Sequence, residues 1–337
     1  MIASGRDAVR IGVVIPYFQR EPGLLQRALR SVAAQEHPAA QVVVVDDGSP
    51  RPAADEITAD LADKLSPLTV IRQPNRGVAA ARNAALDALA GDVSAVALLD
   101  SDDYWAGSHL RYAAEALSLG ADFFFSNSRT EQQTVDNFRE HPRQSLLLSG
   151  EPLQGMPHLM RWSHGVSALF GAGCAFVTST VVFRRAVMPN VRFQAKLRCA
   201  GEDHLVFWAL LTRGSSIVYC CEPTVVYGRG GLGTWQNSTW GSVAHLVRLA
   251  DEIRVRRHVL RTYPVDAVDR QLMYQGIAER RTFALHSALH LIRRRRKGVV
   301  REILYLIWSD PLSAAAWCVN LPKLLLRKLR GARAATG

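Results

Sequence analysis

Two clusters of carboxylates stand directly after short apolar runs in the first third of the chain. Asp46 and Asp47 follow in the segment VVVVDDGSP, and Asp100, Asp102 and Asp103 follow in ALLDSDDYW. Carboxylates at this density repel one another unless a cation or hydrogen-bond donors offset their charge. Oxygen-only ligands suit a hard divalent ion such as Mg²⁺ or Mn²⁺, which in turn binds substrate phosphates. A single Asp after a strand is also a typical turn former or helix cap, so the metal prediction depends on the cluster.

Two further segments add complementary groups. Arg82 lies in the first turns of a predicted helix in NRGVAAARNAAL, and a helix N-terminus with a nearby Arg favours an anionic ligand. Glu202 and Asp203 open an amphipathic helix in AGEDHLVFWALL. Acidic residues in a first turn usually interact with the helix dipole. Beside a metal and a departing phosphate, however, such a carboxylate can act as a general base.

Apolar runs alternate with helical periodicity through the first half of the chain. The apolar runs are Ile11–Pro16, Gln41–Val45, Leu68–Ile71, Ala95–Leu99 and Asp122–Phe125. The helical segments are Leu24–Gln35, Ala53–Leu65, Val78–Ala90 and Ser108–Leu119. This alternation, with strands that lack polar positions, predicts βαβ units in a mostly parallel sheet buried on both faces. Ligands gather at the carboxyl ends of such strands, where both acidic clusters fall.

The second half of the chain changes from mixed elements to helices. We predict a long surface loop over Thr130–Pro157 and a helix over Glu202–Thr212. Further strands are predicted over Ala175–Arg184, Ile217–Cys220 and Thr224–Tyr227. The glycines of Gly228–Gly233 predict a tightly turning loop. From Val243 onward the pattern is helical, so we expect an α/β domain over residues 1–235 and a helical extension over 236–337.

Composition narrows the class of protein. The 337 residues include 48% hydrophobic and 21% charged residues, which excludes wholesale disorder. Five cysteines without CxxC spacing argue against a disulfide framework and a zinc ribbon, and the N-terminal segment lacks the apolar stretch of a signal peptide. We therefore expect a cytoplasmic protein.

The surplus of 41 Lys and Arg over 30 Asp and Glu is concentrated in the helical extension. There, LIRRRRKGVVREILYLIW combines basic and large apolar residues, which predicts interfacial helices on an anionic membrane at the inner face of the plasma membrane. The alternative is that these helices pack on the α/β domain and expose their charges to water. No nucleic-acid-binding motif occurs, so we expect no nucleic acid partner.

These motifs, in this order, resemble those of the family 2 glycosyltransferases, which are inverting enzymes with the Rossmann-like, nucleotide-sugar-binding GT-A fold. The opening strand and helix are similar in VVIPYFQREPGLLQRALRSVAAQ, the nucleotide-contacting strand end in VVVVDDGSP and the Ala-Arg-Asn segment in NRGVAAARNAAL. LLDSDDYW is similar to the family's Asp-x-Asp metal motif, and GEDHLVFWAL to its catalytic-base motif. The resemblance implies a mixed, mostly parallel sheet flanked by helices.

The resemblance also implies roles in binding the nucleotide part of a donor. Pro16 and Tyr17 are expected to shape the nucleotide pocket. Asp46 or Asp47 is expected to accept a hydrogen bond from the base, with the imide N–H of uracil as the expected donor. Arg82 is expected near the diphosphate or the sugar.

The metal and the sugar are expected at the second acidic cluster. Asp100 is expected to face the ribose or sugar, and Ser101 is counted among the donor-binding residues. Asp102 is expected to bind Mn²⁺ or Mg²⁺, with Asp103 as the alternative ligand. Many relatives carry a Tyr-Arg-x-His-like segment where this chain has VVYGRGGLGTW, and Arg229 there is a candidate diphosphate contact.

The implied reaction transfers a sugar from a nucleotide-sugar donor to a hydroxyl of a glycan or lipid-linked glycan acceptor. Asp203 is expected to be the catalytic base, and Glu202 to orient it or to contact the acceptor. Two alternatives stay open at this point, namely a nucleotidyltransferase on a related scaffold and a non-catalytic adaptor that retains the fold.

Overall fold

The computed structural model describes residues 9–65, 67–170, 173–187, 189–194, 196–214, 216–228 and 238–320. The described residues fall into two compact units. We call residues up to 194 together with 202–228 the sheet unit, and residues 196–201 together with 238–320 the helical unit. In this division residues 196–201 belong with the C-terminal helices. The assignment of functions to residues 1–235 and 236–337 stays a prediction.

Within the described residues, ten strands form one mixed, mostly parallel sheet in the sheet unit. In chain order they are β1 (Ile11–Tyr17), β2 (Gln41–Asp46), β3 (Leu68–Arg72), β4 (Ala95–Leu98), β5 (Tyr104–Trp105), β6 (Phe123–Thr130), β7 (Glu151–Leu153), β8 (Met156–Arg161), β9 (Val182–Arg184) and β10 (Ile217–Tyr227). The order across the sheet is β3-β2-β1-β4-β9-β6-β10-β8-β7, with β5 paired to β10. Strands β1 to β4 are mutually parallel and β10 is parallel to β6, whereas β5, β8 and β9 run antiparallel to the strands beside them.

The alternation of strands and helices in the first half is confirmed. Every residue of β1, β2 and β4 is buried, as strands covered on both faces require. The helices that connect the strands are α1 (Leu24–Ala33), α2 (Ala59–Lys64), α3 (Val78–Asp87) and α4 (His109–Ser118). The helix predicted over 53–65 is divided, because the Thr58 hydroxyl accepts a hydrogen bond from the Leu61 amide and starts α2 anew after a short 3₁₀ turn.

The surface loop predicted over 130–157 is wrong. This segment contains α5 (Asn137–Glu140), α6 (Gln144–Leu148), β7 and the start of β8, which pairs with β7 as a hairpin. These elements are too short to show a periodicity in sequence. They are fixed instead by tertiary packing, since the ring of Phe138 is completely buried against Phe125 and Tyr219.

Two other strand predictions change in detail. The two strands predicted over 217–227 are one strand, β10, whose register shifts around Pro223. Proline has no amide to donate to the ladder, which is why it sits at an irregularity. The strand predicted over 175–184 contains a 3₁₀ turn, Thr178–Thr180, before β9 begins. The helix predicted after the Gly-Glu-Asp motif is confirmed as α7 (Glu202–Arg213).

The helical unit is built from α8 (Val243–Thr262), α9 (Ala267–Arg293) and α10 (Val299–Ser309), with residues 312–320 also helical. Ser242 and Asp266 cap α8 and α9 by accepting amide hydrogen bonds. The core between these helices consists of Leu246, Leu249, Ala250, Ile253, Ile277, Ala284, Ala288, Leu291, Val299 and Leu306. Among the described helices, none has both the length and the apolarity needed to cross a membrane.

Candidate active site

The two acidic clusters lie at the same edge of the sheet, as predicted. Parallel strands β2 and β4 flank β1, with Tyr17 of β1 beside Asp46 and Val14 of β1 beside Leu98. The chain leaves both β2 and β4 at their carboxyl ends and enters the acidic segments there. In an open α/β sheet this edge is where ligands bind.

A buried arginine joins this edge to helix α7. Nη2 of Arg82 donates to Oδ1 of Asp100 at 2.7 Å, and Nη1 donates to Oε1 of Glu202 at 2.9 Å. Arg82 is only 3% exposed, so its guanidinium is shielded from water, whereas the Asp100 side chain stays 31% exposed at the edge of the site. Burial alone would lower the pKa of Arg82, but Asp100, Glu202 and Asp203 raise it above its ordinary value. The guanidinium therefore stays charged and holds together groups that lie far apart in the sequence.

The two acids that open α7 have different environments. Burial and the adjacent Asp203 raise the pKa of Glu202 to about 7, although the ion pair with Arg82 acts in the opposite direction. Burial also acts to raise the pKa of Asp203, but His204, Arg82 and two hydrogen bonds outweigh it and lower this pKa. Those hydrogen bonds come from the His204 amide at 2.8 Å and from the Thr178 hydroxyl at 3.0 Å. Asp203 is therefore ionised at neutral pH and able to accept a proton.

In the Asp-Ser-Asp-Asp turn after β4, the carboxylates of Asp102 and Asp103 differ in their hydrogen bonds. Both oxygens of Asp103 are occupied, one by the Ser179 hydroxyl at 2.5 Å and the other by the Gly228 amide at 2.9 Å. No described side chain donates a hydrogen bond to the carboxylate of Asp102. Burial and the charge of Asp100 raise the pKa of Asp102 to about 7. Burial, Asp102 and Asp100 also raise the pKa of Asp103. Of the two predicted metal ligands, Asp102 is thus the one whose carboxylate oxygens are not already taken by hydrogen bonds from described side chains or from the Gly228 amide.

The donor set fits a divalent cation supplied together with a phosphate-bearing ligand. In the described part of the chain no group of three or more His, Cys, Asp or Glu side chains is arranged to hold a metal. Asp102 nevertheless offers a carboxylate that is destabilised by its neighbour, and a cation with a preference for oxygen ligands relieves that repulsion. The remaining ligands would have to come from water or from the bound molecule.

The carboxylates of Asp46 and Asp47 are engaged within the protein. Asp46 accepts hydrogen bonds from the amides of Ser49 and Ala53 at 2.7 and 3.0 Å. Asp47 accepts from the Gln73 side chain and from the amides of residues 76 and 77 at 2.7 to 2.9 Å. These bonds fix the loops after β2 and before α3. A hydrogen bond from either Asp to a nucleobase stays a prediction.

The backbone at residue 77 explains why a glycine stands there. Gly77 has a φ of 89°, a conformation that side chains other than glycine rarely adopt, and its amide donates to Asp47 Oδ2 at 2.8 Å. Helix α3, which carries Arg82, begins at the next residue. The glycine therefore connects the loop that Asp47 fixes to the helix that presents the arginine.

The remaining predicted donor-binding residues lie near this edge or outside the described residues. Pro16 and Tyr17 are buried at the end of β1, and burial raises the pKa of Tyr17 to about 12. Ser101 is also buried, and its hydroxyl accepts a hydrogen bond from the Gln19 side chain at 3.2 Å. Arg229 lies outside the described residues. The roles of all four in donor binding stay predictions.

Sequence reasoning missed the residues that connect the acidic turn to the proposed base. Ser179 donates to Asp103, accepts from the Asp100 amide at 3.0 Å and accepts at its carbonyl from the Trp105 indole at 2.7 Å. Its neighbour Thr178 donates to Asp203. The signal that was available is the run Thr-Ser-Thr inside an otherwise apolar stretch, where three consecutive hydroxyls need buried partners.

Comparison with known families gives a match over half the chain. The profile described as "Glycosyl transferase family 2" matches residues 12–184. The succinoglycan biosynthesis protein ExoW of Rhizobium meliloti is 35% identical over 236 residues, which cover 66% of this chain and 69% of ExoW. Residues 12–184, which the family profile matches, include the acidic clusters and the helix that carries Arg82.

Solved structures resemble the chain in fold. TarS 1-349 of S. aureus, in complex with UDP-GlcNAc, has a TM-score of 0.54 at 16% identity and covers 92% of both chains. This chain spans about half (54%) of the longer TarS chain. The mannosyltransferase PcManGT of Pyrobaculum calidifontis, in complex with GDP-Man and Mn²⁺, has a TM-score of 0.53 at 18% identity over 90% of this chain and 80% of PcManGT. The predicted GT-A fold class is confirmed.

Proposed function

The chain belongs to glycosyl transferase family 2, and from that membership we propose that it is an inverting enzyme that moves a sugar from a UDP-sugar to a hydroxyl of a glycan or lipid-linked glycan. The observation that carries this proposal is the Arg82 clamp. It joins Asp100, at the ligand-binding edge of the sheet, to the Glu202–Asp203 pair at the start of α7. Groups suited to bind a sugar nucleotide and a group suited to remove a proton are thereby held together.

Asp203 is proposed to act as the general base. Its lowered pKa keeps it ionised, so one carboxylate oxygen takes the proton from the acceptor hydroxyl as the acceptor oxygen attacks the anomeric carbon. The new glycosidic C–O bond forms as the bond between the anomeric carbon and the diphosphate oxygen breaks, and the electron pair of that bond leaves with the diphosphate. Attack from the opposite face inverts the anomeric configuration. A positioned base of this kind typically contributes about 10²–10⁴ in rate.

Arg82 and Thr178 are proposed to position the reacting groups. Arg82 uses its two terminal nitrogens on Asp100 and Glu202, which fixes the start of α7 relative to the end of β4. Thr178 directs Oδ2 of Asp203 and stabilises its ionised form. Asp103, held by Ser179 and Gly228, is proposed to support the turn rather than to bind metal.

Asp102 is proposed to hold the Mn²⁺ or Mg²⁺ ion. When bound, the cation neutralises negative charge on the diphosphate. Asp102 suits this position because its carboxylate receives no hydrogen bond from a described side chain. In support, PcManGT is a relative in fold that was solved with GDP-Man and Mn²⁺.

The donor, acceptor and location are proposed by analogy. The TarS complex with UDP-GlcNAc supports a UDP-sugar, and the succinoglycan biosynthesis protein ExoW supports an acceptor in polysaccharide biosynthesis. We assign catalysis to a domain over residues 1–235, with residues 236–337 as a helical extension, and we place the enzyme in the cytoplasm at the inner face of the plasma membrane.

The proposal is tested by thermal shift with UDP, GDP and dTDP, each with and without Mn²⁺. UDP is expected to stabilise the protein only when Mn²⁺ is present, by about 2.7 kcal/mol at a hundredfold excess over Kd. Asp102→Asn should abolish the Mn²⁺-dependent part of the shift, whereas the matched change Asp92→Asn, at an exposed acid in the loop before β4, should not. A protein that responds to no nucleotide would contradict the proposal.

A further inference from the structure

Helix α10 is mostly apolar. Its sequence, VVREILYLIWS, contains only two charged residues, Arg301 and Glu302. Val299, Glu302 and Leu306 form the inner face and are buried in the helical unit. Large apolar residues on a helix normally face a protein core or a binding surface.

The outer face of α10 is largely exposed among the described residues, although the Arg254 guanidinium lies over the Trp308 ring, 5.5 Å from its centroid. Val300, Leu304 and Trp308 follow one another at intervals of four residues, which places them on one side of the helix. Each is more than half exposed, and Trp308 reaches 72%. Leu312 and Val319 extend the exposed apolar residues into the following helical segment. Exposed apolar residues in such a row are typical of a binding surface.

Basic residues precede this stripe, and the segment 292–320 contains no exposed acid. Residues 293–297, RRRRK, are all exposed at the end of α9 and in the turn before α10. The two acids of the segment 292–320 are Glu302 and Asp310, and both are buried. Glu302 pairs with Arg198 and Arg301, and Asp310 pairs with two other arginines. The surface therefore presents positive charge beside apolar side chains.

We propose that this surface docks the protein on an anionic phospholipid membrane. The docking face consists of residues 293–297 together with Val300, Leu304, Trp308 and Leu312. Apolar side chains, one of them a tryptophan, would enter the headgroup boundary while the basic residues pair with lipid phosphates. A second copy of the chain suits the face less well, because two clusters of five positive charges would repel each other. The docking face gives the proposed membrane location a defined surface, and it acts independently of sugar transfer.

Flotation of the full chain with vesicles tests the docking face. We expect binding to vesicles of phosphatidylcholine and phosphatidylglycerol at low salt, and little binding to phosphatidylcholine alone or at high salt. The double variant Leu304→Asp, Trp308→Ala should bind at least about tenfold more weakly, because it places a charge in the apolar stripe. The control Val268→Asp changes a valine on α9 that is as exposed as Val300 of the docking face, and this variant should bind like the wild type.

The basic residues are tested separately. Replacing Arg294, Arg295, Arg296 and Lys297 by Gln should weaken binding to anionic vesicles by on the order of fivefold for each charge removed. Thermal unfolding of every variant checks that the helical unit remains folded.

Three results would overturn the docking face. The first is that the wild-type chain does not float with vesicles at low salt. The second is that the double variant Leu304→Asp, Trp308→Ala (the stripe variant) floats as well as the wild type. The third is that the wild type is a dimer on gel filtration and the stripe variant is not, while both bind vesicles equally. Transfer to a soluble acceptor without vesicles should be unchanged in the stripe variant, so a failure of docking is distinguishable from a failure of the proposed transfer reaction.

Discussion

The sheet unit and the helical unit each contain a network of arginine and carboxylate side chains, but the ratio of arginines to carboxylates differs between them. In the sheet unit, Arg82 alone pairs with Asp100 and Glu202, and further acids lie close by. In the helical unit, Asp310 pairs with both Arg257 and Arg281. Carboxylates therefore exceed arginines at the first position, and arginines exceed carboxylates at the second.

The pKa values of the carboxylates in the two networks differ in the direction expected from these ratios of arginine to carboxylate. Burial and neighbouring acids raise the pKa values of Glu202 and Asp102 to about 7. Burial also acts to raise the pKa values of Glu302 and Asp310, but their arginine partners outweigh it and lower them. A buried charge that the protein has already neutralised serves the fold, whereas an uncompensated charge is available to a ligand. The comparison thus distinguishes Glu202 and Asp102 from the structural network, whereas Asp203 keeps a lowered pKa because His204, Arg82 and two hydrogen bonds stabilise its charge.

The largest expected effect is the loss of turnover in Asp203→Asn. The amide cannot take the acceptor proton, so kcat should fall by about 10²–10⁴ while the fold is retained. Steady-state kinetics with a UDP-sugar and a glycan acceptor measure the change. Asp310→Asn, the matched change in the helical unit, should leave kcat within about twofold of wild type at temperatures where the variant is folded. An Asp203→Asn enzyme with normal kcat would remove Asp203 from the role of base.

Asp310→Asn should instead cost stability. The side chain is fully buried and accepts hydrogen bonds from Arg257, Arg281 and Ser313, so the change leaves two arginines without their charge partner. Breaking a buried pair in this way typically costs about 3–5 kcal/mol. Urea unfolding measures the loss. A cost below about 1 kcal/mol would show that the network contributes little to folding.

The two regions should respond to pH with opposite signs. The pKa of Glu202 is raised to about 7, above its unfolded value of about 4.3, so its contribution to stability falls as pH rises from about 4 to 7. Although burial opposes it, Arg281, Ser313 and Arg257 hold the pKa of Asp310 low, so that group stabilises the fold above about pH 4 and loses this effect as pH falls through its folded pKa.

Calorimetry across pH 3–8 tests these signs. Glu202→Gln should flatten the decline between pH 5 and 7, by about 1–2 kcal/mol. Asp310→Asn should flatten the loss below pH 4. If either variant altered the other pH range instead, the assignment of the two groups would be reversed.

The sequence predicted the scaffold because its strands are continuous and apolar. Residues 11–16 and 41–45 lack polar alternation, which only strands buried on both faces permit, and the parallel order then places Asp46 and Asp100 at one edge. The helix at Glu202 was predictable from its amphipathic pattern and its acidic first turn. Each of these features depends on a short segment of the sequence, so the pattern of residues within that segment is enough to predict it.

The contacts that organise the site were not predictable because they join segments distant in the chain. The pairing of Arg82 with Glu202 spans 120 positions, and no spacing rule links them. The Thr-Ser-Thr run signals hydroxyls that need buried partners, but only the structure identifies those partners of Thr178 and Ser179 as Asp203 and Asp103. Short elements such as α5 and α6 were missed for the same reason, since packing rather than periodicity fixes them.

Thr178→Val tests one of these missed contacts. Loss of the hydrogen bond to Asp203 should lower kcat by about 5–10-fold, the effect of one hydrogen bond of about 1–1.5 kcal/mol, with little change in donor KM. The hydroxyl stabilises the ionised carboxylate, so its removal raises the pKa of Asp203 and should move the acid limb of the kcat–pH profile to higher pH. Thr178→Ser keeps the hydroxyl and should restore both values. An unshifted acid limb in Thr178→Val would make Thr178 merely structural.

The smallest expected effect is a gain in stability in Asp102→Asn, and it tests the difference between the two networks most directly. Asp102→Asn removes one of several mutually repelling carboxylates, so without metal the variant should be more stable than the wild type by about 0.5–1 kcal/mol. Asp310→Asn, which removes a carboxylate from an arginine-rich network, changes stability in the opposite direction. Urea unfolding in EDTA, repeated with Mn²⁺ and UDP, measures both the gain of Asp102→Asn without metal and its loss of the ligand response. Lower stability of Asp102→Asn in EDTA would mean that the protein already compensates the charge of Asp102. Glu202 would then be the carboxylate whose uncompensated charge distinguishes this edge of the sheet from the helical unit.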